Sequence, residues 1–114
     1  MIIYFNPECS KCKEAREILD ASACEYQVRN YLEIAPSVEE LNELVFKLGC
    51  KAEDLVRKTE LLFVNEFSSK NFTEEEWIDL LSKNPVLLQR PIVIDGTKAL
   101  IGRPPSLIFD LISK

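Results

Sequence analysis

The residues best placed to do chemistry are Cys9 and Cys12, in the stretch "FNPECSKCKEAREIL" at residues 5–19. The C-x-x-C spacing matters because one helical turn brings the second sulfur within disulfide reach of the first. A helix N-terminus also offers free N–H groups and partial positive charge, both of which favour a thiolate. Two thiols could instead be half of a zinc site. That reading needs two further ligands, and the chain has no histidine, while Cys24 and Cys50 form no second C-x-x-C. Metal ligands are therefore expected to be none, and any mechanism that depends on a His triad is excluded. Cys24 and Cys50, being isolated, read as small buried hydrophobes.

These thiols need a strand and a helix to hold them. "MIIYF" is a short apolar β-prone run, broken by Asn6-Pro7. The segment from Ser10 to about Ala21 forms a helix with Ala15, Ile18 and Leu19 on one stripe. "EYQVRNYL" alternates, so residues 25–29 or so make a second strand. The resulting β-α-β unit calls for a parallel strand pair with a right-handed crossover. C-x-x-C after a strand and opening a helix in such a unit is the thioredoxin-like redox arrangement.

The middle of the chain reads as helical. Ser37 with Glu40 forms a capping box for "VEELNELVFKLG", which Gly49 closes. A short helix over "KAEDLVRK" and another over "TELLFVNEF" are expected to follow. Thr73 with Glu76 then opens a helix that stops before Pro85. The last third changes character: "RPIVID" and "KALIG" are strands joined at Asp95-Gly96, and "RPPSLIFDLISK" reads as a closing helix with prolines in its first turn. The expected fold is α/β, a thioredoxin-like domain over 1–114 with a mixed four-stranded sheet (β-α-β … β-β-α) and a helical insertion at roughly 36–84.

The 114 residues, 46% of them hydrophobic, suffice for a core without staples. A net charge of −5 argues against direct nucleic-acid binding, which needs basic density. No apolar run approaches the roughly 20 residues of a membrane span, and the start of the chain has no signal-peptide pattern, so a cytoplasmic protein with reduced thiols is expected.

The motifs "YFNPECSKC" at the start, "VRKTE" at 56–60, "NPVLLQRPIVI" at 84–94 and "GRPPS" at 102–106 resemble, in order, those of the glutaredoxin-coupled arsenate reductases (the ArsC family). The resemblance implies a thioredoxin-like fold with an inserted helical region and Cys9 as nucleophile. It further implies that Arg57, Arg90 and Arg103 clamp an oxyanion, and that Asn6 and a cis Pro91 shape the pocket. The chemistry is coherent: a thiolate attacking arsenate brings two negative charges together, and guanidinium forks neutralise an oxyanion at any working pH. The family commonly carries a histidine just before the cysteine, where this chain has Phe5, with Glu8 adjacent. It usually lacks a thiol at the position of Cys12. Spx-type regulators of RNA polymerase share the fold and the C-x-x-C, but lack an arginine matching Arg103 and carry a tail.

The expectation is a thiol-dependent oxidoreductase reducing arsenate to arsenite. No cofactor is expected to be bound, and glutathione with glutaredoxin, or thioredoxin, would serve as reductant. Cys12 could resolve the adduct through a Cys9–Cys12 disulfide. The partners expected are arsenate or a thiol substrate, with the protein a monomer. The alternatives are a general thiol-disulfide oxidoreductase and an Spx-like redox-sensing regulator.

Overall fold

A computed structural model describes residues 1–112. Four short segments become strands: β1 (Ile2–Tyr4), β2 (Gln27–Arg29), β3 (Ile92–Asp95) and β4 (Lys98–Ile101), of which β1 and β3 are rich in β-branched residues. They form one mixed sheet in the order β2-β1-β3-β4. β1 runs parallel to β2 and antiparallel to β3, and β3 is antiparallel to β4. Helix α1 (Ser10–Ala21) supplies the crossover between the parallel strands. The expected mixed four-stranded α/β architecture is the one observed.

Side-chain alternation sorts the sheet into two faces. Ile3 and Val93, paired in register, share one buried cluster with Cys12, Ala15 and Leu19 of α1 and with Ile108 and Leu111 of α5 (Ile108–Ile112). Of the stripe expected from the sequence, Ala15 and Leu19 are fully buried and Ile18 is partly buried against the cluster, while Cys12 joins them one turn earlier. Tyr4 and Ile92, also paired, are fully or almost fully buried.

The chain divides into two compact units: Met1–Ile34 with the described residues from Arg90 onward, which hold the sheet, and Ala35–Gln89, which is helical. In the helical unit, α2 (Val38–Leu48) and α4 (Glu74–Lys83) pack together through faces that bury Leu41 and Leu44, and Ile78 and Leu81. Both expected capping boxes form. Glu40 N–H donates to Ser37 Oγ at 3.1 Å and Ser37 N–H to Glu40 Oε1 at 3.0 Å, with the same exchange between Thr73 and Glu76. Gly49 closes α2 at φ +65°, a left-handed conformation that costs glycine little. α3 (Leu61–Glu66) forms within "TELLFVNEF", and Phe63 stacks on Trp77 with ring centroids 6.1 Å apart.

Three expectations are corrected. "KAEDLVRK" makes only a 3-10 turn, Ala52–Leu55, because Val56 becomes extended and bridges Leu88. Arg57 N–H donates to the Leu87 carbonyl and Gln89 N–H to that of Leu55, both at 2.7 Å, so this backbone pairs across rather than coiling. The closing helix is also shorter than expected. Pro104 is extended after a cis bond, Pro105–Leu107 is a 3-10 turn, and the α-helix begins at Ile108. The end of that expected helix, Ser113 and Lys114, lies outside the described residues. Finally, Arg90 and Pro91 precede β3 rather than belonging to it, since Pro91 has no N–H to donate. The turn after β3 places Gly96 at φ +61° while Thr97 stays at negative φ, so it is not the type I′ turn, which needs both positive.

Candidate active site

The strand-to-helix loop is folded by Asn6. Its carbonyl accepts the Cys9 N–H at 3.0 Å, and its Oδ1 accepts the Glu8 N–H at 2.9 Å. Among the described residues Asn6 is the one non-aromatic polar residue in the buried interior. It earns that place because local backbone donors satisfy its oxygen, an Asx-type turn. Cys9 is thereby set at the N-cap of α1, with φ −97° and ψ +119°. No acidic residue occupies the first turn of α1 to cancel the field at its N-terminus.

The two sulfurs sit at different depths. Cys9 retains 8% exposure and Cys12 none. Burial raises the Cys9 thiol, but it is outweighed by the backbone N–H of Cys12, the Arg90 guanidinium, the Cys12 thiol and the backbone N–H of Lys11. The net result lowers the Cys9 thiol to about 7. For Cys12 burial dominates and raises it to about 12, and the Cys9 charge adds to the rise. At neutral pH Cys9 is therefore partly ionised while Cys12 beside it stays a thiol.

Two arginines reach this pair from the opposite end of the sequence. The Arg90 guanidinium favours the Cys9 thiolate, and the Arg103 Nη2 lies 3.9 Å from Cys9 Sγ. Arg103 Nε also donates to the Arg90 carbonyl at 2.7 Å, which locks the two arginines to each other. The Arg90–Pro91 peptide bond is cis, and the Pro91 carbonyl accepts the Gly102 N–H at 2.8 Å. A Cβ on Gly102 would lie 3.1 Å from Pro91 Cγ and 3.4 Å from Ile108 Cδ1, so glycine lets these two segments approach closely.

The structure thus brings Asn6, Cys9, Cys12, Arg90, Pro91 and Arg103 together. Arg57 belongs to the helical unit, where its guanidinium lies 3.9 Å from the Glu60 carboxylate. Phe5 is buried in the cluster that holds Cys9 and Cys12, and the Arg16 guanidinium stands 5.5 Å over its ring. Phe5 can give the thiolate no hydrogen bond. Glu8 is exposed, so solvent screens its charge. Among the described residues no group of three or more metal-ligating side chains converges, nor is any helix long and apolar enough to cross a membrane.

One residue of the site escaped the sequence reading. Tyr31, fully buried, stands where Arg90, Cys12 and Cys9 all act on its hydroxyl. The parallel ladder ends at Tyr4 and Arg29 and the chain then turns at Asn30, so no local pattern marked Tyr31.

A buried thiol pair at the mouth of the first helix, on a β-α-β … β-β-α frame with two arginines, defines a thioredoxin-like thiol protein. Residues 4–110 match the model of the ArsC family, and the chain belongs to that family. It is 38% identical to the "Uncharacterized protein in glnII region" of Streptomyces viridochromogenes, over the whole of both chains. It is 34% identical to an arsenate reductase of Haemophilus influenzae, covering 98% of each. The solved arsenate reductase of Vibrio cholerae superposes with a TM-score of 0.92 at 33% identity, covering 97% of this chain and 96% of the other.

Proposed function

We propose that this protein is a cytoplasmic arsenate reductase-like oxidoreductase, a single ArsC-type domain whose helical segment is an insertion. The observation that carries the reading is the Cys9 thiol, held near neutral ionisation with Arg90 and Arg103 on the same sulfur. An ionised nucleophile within a cationic pocket suits an oxyanion substrate, because guanidinium forks offset the repulsion between thiolate and oxyanion. Arg57, matched by its motif "VRKTE", serves as the third clamp residue.

In the first step the Cys9 sulfur forms a bond to arsenic(V), and one arsenate oxygen leaves as water after protonation. A second thiolate then attacks the Cys9 sulfur. The S–As bond breaks, its electron pair stays on arsenic, and arsenite departs as a disulfide forms. Two electrons pass from two thiols to arsenic. The second thiol is either glutathione, with glutaredoxin regenerating Cys9, or Cys12, with a thioredoxin-type partner reducing the Cys9–Cys12 disulfide. No bound cofactor enters either route.

The proximity of Cys12 to Cys9 also favours a second reading, a general thiol-disulfide oxidoreductase in which the arginines bind a carboxylate. NADPH consumption with arsenate separates the two. It is measured once through glutathione, glutaredoxin and glutathione reductase, and once through thioredoxin and its reductase. Arsenate-dependent turnover in either system supports the reductase reading and identifies the reductant. Turnover with small disulfides alone supports the second.

A further inference from the structure

Three acidic residues in the first turns of helices in the Ala35–Gln89 unit put their carboxylates on backbone donors. Glu40 and Glu76 reach back to the N–H groups of Ser37 and Thr73 at 3.0 and 2.8 Å, and Glu74 Oε2 accepts the Ala52 N–H at 2.9 Å. Glu60 departs from this pattern. It stands at the N-cap of α3, with φ −64° and ψ +136°, yet its side chain accepts no N–H of that helix. A capping carboxylate ordinarily accepts from the second or third helical N–H. The Glu60 carboxylate turns instead to Arg57, 3.9 Å from Nη1, and has no other ionic or hydrogen-bond partner among the described residues.

The backbone that carries this pair is fixed. Arg57 N–H donates to the Leu87 carbonyl at 2.7 Å, and Glu60 N–H donates to the Arg57 carbonyl at 3.1 Å, closing a turn from 57 to 60. The side chains of Arg57 and Glu60 are 20% and 28% exposed, so water screens their charges only in part. The separation of 3.9 Å nevertheless lies beyond hydrogen-bond range, whereas a permanent arginine–carboxylate fork closes to about 2.7–2.9 Å. Glu60 therefore neutralises Arg57 without hydrogen-bonding to it, as a counterion held by charge alone.

We propose that Glu60 is the resident counter-anion of Arg57, displaced by an incoming tetrahedral oxyanion, so that Glu60 sets how tightly the oxyanion is held. The inference rests on the reading of Arg57 as the third clamp residue. An oxyanion presents two acceptors that match the guanidinium fork, and so makes the hydrogen bonds that Glu60 does not. The displaced carboxylate gives up one long ionic contact and no hydrogen bond, and its partial exposure lets water take up the charge. No proton moves and no covalent bond forms in the exchange.

The test is a calorimetric titration of arsenate into the full chain carrying Cys9→Ser, which binds without reacting. In that background Glu60→Gln keeps the shape of the side chain and removes its charge. It is expected to tighten arsenate binding about fivefold, the upper end for a partly exposed ion pair. Glu60→Ala should tighten it too, since charge and not shape is at issue. A residue with a merely structural role would loosen the site when replaced. Arg57→Gln should weaken arsenate by about tenfold or more, the scale of a hydrogen bond to a charged group. Adding Glu60→Gln to Arg57→Gln should change nothing further, because the carboxylate then has no cation to neutralise. If arsenate binds Glu60→Gln no more tightly while Arg57→Gln weakens it, the counter-anion assignment is overturned and the clamp stands. The same fivefold tightening in the Arg57→Gln background also overturns it, since Glu60 would then act as a distant charge. Equal binding by the Cys9→Ser parent and Arg57→Gln, or no binding by that parent, overturns the clamp reading and the assignment with it.

Discussion

Cys9 and Cys12 stand one helical turn apart, and the mouth and floor of the site treat them in opposite ways. At the mouth, helix N–H groups, the Arg90 guanidinium and the Cys12 thiol outweigh burial and lower the Cys9 thiol to about 7, with Arg103 Nη2 3.9 Å from the same sulfur. On the floor, complete burial holds an identical thiol near 12. Two residues of one type, one turn apart, are thus shifted in opposite directions from the ordinary thiol value. Depth and the arrangement of donors assign the roles, nucleophile above and proton reservoir below. Sequence spacing alone assigns neither.

The largest expected effect removes one side of this contrast. Cys9→Ser should abolish turnover in both coupled assays. Cys12→Ser should abolish only the thioredoxin-coupled route, and full activity with glutathione in that variant would show that the floor thiol is not needed for the chemistry at the mouth. Next comes the cationic wall. Arg90→Gln should raise the Cys9 midpoint by about one unit or more, so at pH 7 the alkylation rate falls several-fold. Arg103→Gln should do the same to a smaller extent, because Arg103 is exposed and screened. An unmoved midpoint in both would assign the low value to the helix alone.

A smaller effect is expected where the two segments behind the thiols approach each other. Gly102→Ala forces a Cβ against Pro91 and Ile108 and should cost about 1–3 kcal/mol in denaturant unfolding. It should also disturb Arg103 and raise the Cys9 midpoint slightly. Smallest is Ser37→Ala, which removes one half of the α2 capping box at a cost of about 1 kcal/mol, with both thiol midpoints unchanged. A shift in either midpoint would tie the thiols to α2.

What the sequence disclosed follows the range of each interaction. The capping boxes at Ser37 and Thr73, the α1 stripe and the C-x-x-C are written within a few residues, and all were legible. The last helix was misread because helix propensity over "SLIFDLI" gave no sign of the extended Pro104 or of the turn at Pro105. The extended Val56 was missed because its partner Leu88 lies 32 residues away in the chain. Arg103 meets Cys9 across 94 positions, and no local pattern encodes that contact. It became visible only through resemblance to a family. Tyr31 carried no motif at all and lies in the turn beyond β2, outside the strand register.

The measurement that tests this account most directly is the pH dependence of alkylation at each cysteine, resolved by peptide mass spectrometry on the reduced protein. The thiolate fraction of Cys9 rises with pH, so its labelling should climb with a midpoint near 7 and reach its plateau by about pH 8.5, while Cys12 stays almost unlabelled over the same range. Two thiols titrating together near the ordinary value of about 8.5 would contradict the assignment of nucleophile and reservoir.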